Sequence, residues 1–87
     1  MQTEKLEQIF ALEKQIIDVM KPNYEFVDGG MFIGESDNEY YERQMTLESV
    51  SNNNEYYSFS YNLLGDVKGE IPQDKKDSLY RLLHKLT

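Results

Sequence analysis

Residues 41–64 read YERQMTLESVSNNNEYYSFSYNLL, and the rest of the chain is arranged around this stretch. Apolar and polar residues alternate on both sides of an asparagine run at 52–54, which is the pattern of strands with one buried face. Asparagine tolerates the left-handed backbone conformations that tight turns require. The stretch therefore predicts a β-hairpin with strands at about 39–50 and 55–64.

Side-chain alternation also predicts how these two strands pair. The residues expected to face the core are Tyr41, Arg43, Met45 and Leu47 on the first strand, and Tyr57, Phe59, Tyr61 and Leu63 on the second. Cross-strand partners must point the same way. We therefore expect Leu47 opposite Phe59 and Met45 opposite Tyr61, with a three-residue asparagine loop. A four-residue loop would set Leu47 against Ser58, an apolar residue against a polar one.

Helical periodicity flanks the hairpin. Residues 4–20 and 73–86 carry apolar side chains at three- and four-residue spacing. Residues 24–34 form a third strand pattern, with a turn or bulge at Asp28-Gly29-Gly30. The predicted order is helix, three antiparallel strands, helix in one α+β domain. We expect a two-layer sandwich with both helices on one face of the meander.

Charge is concentrated in the middle of the chain. The net charge is −7, and residues 25–55 hold eight acids and one base, Arg43. Nucleic acids and anionic lipids are bound through Lys and Arg, so this balance excludes them as expected partners and favours a basic protein. The chain has no cysteine, and no apolar run approaches the roughly 20 residues that span a bilayer. We expect a cytoplasmic protein.

Glu13 interrupts the apolar stripe of the first helix. Burial of a carboxylate without a partner costs roughly several kcal/mol of folding free energy. We expect Glu13 either to pair with a base or a tyrosine across the core or to reach solvent at an edge. As an acid tuned by burial, it would be the starting point of a small hydrolase.

Catalytic and cofactor signatures are missing from the sequence. His84 is the only histidine, and no Ser-His or Cys-His pair is apparent. The glycines form no phosphate loop, and residues 35–42 share only acidity with a calcium loop. We expect a protein that is not an enzyme and that binds no cofactor and no metal.

The best candidate site is the sheet face predicted to point away from both helices. It mixes acids with tyrosines, which provide large contact areas at small entropic cost. The residues predicted to bind a partner are Tyr40, Glu42, Gln44, Glu48, Tyr56, Asp37 and Glu39. The alternative is a solvated face whose tyrosines follow strand propensity.

The chain resembles, in architecture and charge, the small acidic immunity proteins of bacterial toxin systems and the small acidic inhibitors that phages encode. The segments that carry the resemblance are EKLEQIFALEKQIIDVM, DNEYYERQMTLESV, NEYYSFSY and IPQDKKDSLYRLLHKL. The resemblance implies a stoichiometric inhibitor of a basic partner such as a toxin or nuclease. The alternative is a homo-oligomeric protein, for example a homodimer, that associates through the open face or an edge strand.

Overall fold

The structure, a computed structural model, describes residues 2–33, 41–52 and 54–85. Its elements in chain order are α1 (Gln2–Met20), β1 (Tyr24–Ile33), β2 (Tyr41–Ser49), β3 (Tyr56–Asn62), β4 (Val67–Gly69), a 3-10 turn (Gln73–Lys75) and α2 (Lys76–His84). The strands form one antiparallel sheet in the order β1-β2-β3-β4. The α+β class and the antiparallel meander are confirmed, and the fourth strand corrects the predicted number of three.

Element ends differ from the predicted bounds by small amounts. Helix α1 begins at Gln2, two residues earlier than expected. The predicted second helix is divided, because a 3-10 turn follows Pro72 before the α-helical part begins at Lys76. The predicted ends at residues 34, 39 and 86 lie outside the described residues.

Asn62 builds the turn that creates the fourth strand. Its side-chain oxygen accepts hydrogen bonds from the backbone N–H groups of Leu64 (2.9 Å) and Asp66 (3.1 Å). Gly65 has a φ of 89°, a conformation that glycine adopts without steric cost. The chain therefore reverses at once, and Val67–Gly69 pairs with β3. Strand β3 ends at Asn62 rather than at Leu64. Strand alternation puts Asn62 on the side away from the core, yet its side chain is buried.

The hairpin has the predicted faces but a different register. Leu47 pairs with Tyr57 and Met45 with Phe59, so the predicted partners Phe59 and Tyr61 are wrong by two residues. A slip of two residues keeps every side chain on its own face. Alternation alone therefore cannot distinguish the two registers.

Contacts at the end of β2 set the register. The N–H of Val50 donates to the carbonyl of Asn23 (2.8 Å), which extends the β1–β2 ladder one residue beyond Ser49. The N–H of Ser49 closes the loop by donating to the carbonyl of Glu55 (2.9 Å). Within that loop, Asn52 accepts from the backbone N–H of Glu55 (3.0 Å) and donates to its carboxylate (3.1 Å). The loop is consequently longer than the three asparagines.

Strand β1 contains a bulge at Val27. Phe26 pairs with Leu47 and Asp28 pairs with Thr46, which leaves Val27 as the extra residue. An extra residue moves every later side chain to the opposite face of the sheet. The expected irregularity is thus a bulge one residue before the Asp-Gly-Gly triplet, within a continuous strand.

One core lies between the sheet and the helices. It combines one stripe from each helix with the inward faces of β2 and β3. Its buried members are Ile9, Leu12, Ile16, Met20, Tyr41, Met45, Leu47, Phe59, Tyr61, Leu79 and Leu83. Burial of a large apolar side chain contributes about 1.5–3 kcal/mol, so this cluster is the main source of stability.

Arg43 lies on the inward face of β2 and pairs with Glu13 of α1. Its Nη2 and Nε both donate to Glu13 Oε1, at 2.5 and 3.0 Å, and each side chain is only 13% exposed. The guanidinium also stacks on Phe10, 5.2 Å from the ring centroid. The expectation that Glu13 pairs with a base across the core is therefore confirmed.

Two tyrosine hydroxyls tie distant parts of the chain together. Tyr61 donates to the carbonyl of Ile9 (3.1 Å) inside the core, where burial raises the pKa of its hydroxyl. Tyr24, at the start of β1, donates to Asp74 before α2 (2.6 Å). Its ring packs edge-on against Tyr57, with centroids 5.6 Å apart. The hydrogen bond to Asp74 is the main cause that raises the pKa of Tyr24 to about 12.

We expect the free energy of unfolding to fall as pH rises through the range of about 10 to 12. Tyr24 ionises near pH 10 in the unfolded chain, whereas its pKa in the folded protein is about 12. Its stabilising effect is therefore complete below about pH 10 and is lost as pH rises through the folded pKa. Urea unfolding at a series of alkaline pH values measures the slope. Tyr24→Phe should make the slope shallower, and an unchanged slope in this variant would contradict the account.

Candidate functional site on the outer sheet face

The sheet face turned away from the helices, called the outer face, is the candidate site. Its described residues are arranged in four cross-strand rows. The rows are Glu25, Glu48 and Tyr56; Asp28, Thr46 and Ser58; Gly30, Gln44, Ser60 and Lys68; and Phe32, Glu42 and Asn62. Within the described part of the chain, this face carries four carboxylates and one ammonium.

The inward orientation of Arg43 makes the outer face acidic. Arg43 is the only base among residues 25–55, which hold eight acids. Strand alternation places it on the inner face, where it pairs with Glu13. The carboxylates that β1 and β2 present outward therefore have no base from their own segment beside them.

The structure brings four of the seven predicted partner-binding residues together. Glu42, Gln44 and Glu48 share the outer face of β2, and Tyr56 lies opposite Glu48 on β3. Tyr56 is 52% exposed. A hydrogen bond to the Glu48 carboxylate raises the pKa of the Tyr56 hydroxyl. The other three predicted residues, Asp37, Glu39 and Tyr40, lie outside the described residues.

Glu25 and Glu48 form a like-charge pair. They face each other directly in the β1–β2 register, and side chains in such positions are about 4.5–5.5 Å apart at Cβ. Like charges in this position destabilise a sheet. An arrangement that costs stability on an exposed face is typical of a surface kept for binding.

Phe32 is a functional candidate that the sequence analysis missed. It lies on the outer face opposite Glu42, and its side chain is 59% exposed. Without the bulge at Val27, Phe32 would share the inward face of Tyr24 and Phe26. Only the position of the bulge reveals that this aromatic ring points outward, and the sequence marks that position only with the nearby Gly-Gly pair.

A depression of about 440 Å³ opens on the outer face beside Phe32. Gly30 leaves it unfilled, because a Cβ atom there would meet no atom within 4 Å. The principal groups around it are Gly30, Phe32, Glu42, Gln44, Ser60 and Lys68. The Ser60 hydroxyl donates to the Glu42 carboxylate at 3.3 Å, which places that carboxylate at the wall.

Both edges of the sheet are poorly suited to strand addition. Strand β4 spans only three residues, Val67–Gly69. On β1 the bulge interrupts the ladder, and the Asp28 carboxylate accepts a hydrogen bond from the N–H of Gly29 (2.8 Å). Short strands, bulges and edge carboxylates are the devices by which sheets resist pairing with other chains.

The described residues contain few groups that could form another kind of functional site. Residues 2–33, 41–52 and 54–85 contain no group of three or more His, Cys, Asp or Glu side chains placed to hold a metal ion. Neither α1 nor α2 is long and apolar enough to cross a membrane. Glu13 is paired with Arg43, and His84 is exposed at the end of α2, its ring centroid 6.5 Å from that of Tyr80.

Glu25→Gln should stabilise the protein by about 0.5 kcal/mol, the scale of an unfavourable cross-strand charge pair. The substitution removes repulsion from Glu48 and leaves the hydrogen bond between Glu48 and Tyr56 in place. Urea unfolding at low salt measures the gain, which added salt should reduce. Glu7→Gln, an exposed change on α1, is the control for net charge. An equal gain in both variants would show that the pair has no specific effect.

The chain matches no protein-family model, no curated protein and no solved structure.

Proposed function

We propose that the chain is a non-enzymatic, acidic protein-binding domain, acting as a stoichiometric inhibitor or immunity protein on a basic partner such as a toxin or nuclease. The observation that carries the proposal is the outer face, where four carboxylates and one ammonium surround exposed Phe32 and Tyr56. A cytoplasmic location is part of the proposal, supported by the absence of cysteine.

The charge of the face suits a basic partner in two ways. Carboxylates on one surface attract an oppositely charged protein over long range and accelerate its association. They also disfavour acidic competitors, because like charges brought together in an interface cost roughly several kcal/mol of binding free energy. Both effects weaken as salt is added.

The aromatic residues provide the apolar contact area that the charged residues lack. Exposed rings bury large apolar areas in a complex and are enriched among the residues that dominate binding energy. Phe32 and Tyr56 stand on strands β1 and β3, which hydrogen-bonded ladders hold on either side of β2. Contacts presented on a sheet lose little conformational freedom on binding.

Self-association is the alternative function, and two observations speak against it. Two copies joined by their outer faces would bring four carboxylates of each copy together. On β1, the bulge and the Asp28–Gly29 hydrogen bond interrupt the edge along which a second copy would pair. The outer face therefore supports a heterologous partner better than a second copy.

The proposal is tested by affinity capture from a lysate of the source organism at low and high salt. Three baits are compared: the wild type, Glu42→Lys/Glu48→Lys on the outer face, and Glu7→Lys/Asp18→Lys on exposed positions of α1. Both variants change the net charge equally. We expect the wild type and the α1 variant to retain the same basic protein at low salt only, and the outer-face variant to lose it.

Binding measurements with the purified partner then give the size of the effect. Reversal of the two outer-face charges should weaken binding at least about 30-fold, in line with about 2–5 kcal/mol for disrupted charged contacts. If both charge variants lose the same affinity for the partner, the effect comes from net charge and not from the outer face, which would contradict the proposal. A wild type that captures only itself would favour the self-association alternative.

A further inference from the structure

We propose that the depression on the outer face receives one arginine side chain of the basic partner, with the guanidinium between the Phe32 ring and the Glu42 carboxylate. This inference rests on the proposed function and specifies the contact at its centre. The depression holds about 440 Å³, enough for a single long side chain rather than for a folded element.

The floor of the depression is open to a long side chain. Gly30 lies on the outer face opposite Gln44, and the space above it is free of atoms within 4 Å of a Cβ position. Any larger residue at position 30 would fill this space. Glycine therefore allows close approach of a partner to the backbone, which is one of the reasons for a glycine within a strand.

The walls of the depression favour a planar cation. Phe32 and Glu42 are direct cross-strand partners, so an aromatic ring and a carboxylate stand side by side. Guanidinium stacks on aromatic rings and pairs with carboxylates through its fork of N–H donors, whereas ammonium is compact and more strongly hydrated. The Ser60 hydroxyl donates to Glu42 (3.3 Å) and so holds this carboxylate at the wall of the depression, and a carboxylate accepts several hydrogen bonds at once.

Among the described residues, Lys68 is the one base that lines the depression, and its position limits its effect. It lies on β4 opposite Ser60, three strands away from Phe32 in the sheet order. Neighbouring strands are about 4.8 Å apart, which puts β4 roughly 14 Å from β1. A cation near Phe32 and Glu42 is therefore opposed only weakly by Lys68. The remaining polar groups around the depression, on Gln44 and Ser58, are uncharged.

The test uses ¹⁵N-labelled protein titrated with N-acetyl-arginine amide, and with the citrulline and lysine analogues as controls. Citrulline has nearly the same shape as arginine but no charge. We expect saturable shifts of the backbone amides of Gly30, Phe32 and Ser60 with arginine. The dissociation constant should be on the order of 10 mM for one stacked, exposed ion pair. Lysine should bind several-fold more weakly, and citrulline should give no saturable shift.

Variants separate this site from general attraction to an acidic surface. Gly30→Leu should remove the response, since the added side chain extends into the depression from a position where a Cβ atom meets nothing within 4 Å. Thr46→Leu places a leucine in the next row, outside the depression, and should leave the response unchanged. Lys68→Ala should tighten arginine binding about two-fold by removing a repulsive charge.

Three results would overturn the inference: no saturable shift at these amides, an equal response to citrulline, or an unchanged response in Gly30→Leu. The lysate experiment reports on the outer face as a whole, so the two proposals can fail separately. Capture of a basic protein that Gly30→Leu retains as well as the wild type overturns only the arginine site. Arginine binding in the depression without a captured basic protein supports the arginine site and overturns the proposed function.

Discussion

The ion pair between Glu13 and Arg43 sets the charge of both faces of the sheet. Without its partner, either side chain would be a poorly solvated charge between α1 and the sheet, because each is only 13% exposed. Removal of one partner from such a pair usually costs several kcal/mol, roughly 3–5 when burial is complete. Together they bridge helix and sheet, with Phe10 stacked on the guanidinium. A single contact thus accommodates the one acid in the apolar stripe of α1 and the one base of the acidic segment.

The acidic outer face is the consequence of this arrangement. Because Arg43 points inward, the carboxylates on β1 and β2 face solvent without a base from their own segment. The bulge at Val27 adds the second feature, since it turns Phe32 outward beside Glu42. The turn at Asn62 adds the third, because it brings β4 and Lys68 to the far side of the depression. The negative charge, the exposed aromatic ring and the depression of the outer face therefore arise from three local features of the chain. These are the inward Arg43, the bulge at Val27 and the turn at Asn62.

Sequence patterns predicted those features that depend on alternation alone. The faces of β2 and β3 followed from period-two spacing, and the position of Glu13 in the stripe of α1 indicated a partner across the core. Features that depend on backbone geometry could not be predicted from the sequence. A two-residue slip leaves the faces unchanged, so the hydrogen bond between Ser49 and Glu55 that closes the loop was needed to define the register. The outward position of Phe32 depends on the bulge, and β4 depends on side-chain hydrogen bonds of Asn62, which looked like an outward strand residue.

The inward orientation of Arg43 can be measured directly by NMR of the arginine side chains. The chain has two arginines, Arg43 and Arg81, and Arg81 is exposed on α2, so it serves as an internal reference. We expect a slowly exchanging Nε–Hε signal for Arg43, displaced by the ring current of Phe10 and altered in Glu13→Gln. Rapid exchange of both arginine signals, with no response to Glu13→Gln, would show that Arg43 lies in solvent. The explanation of the acidic outer face would then be wrong.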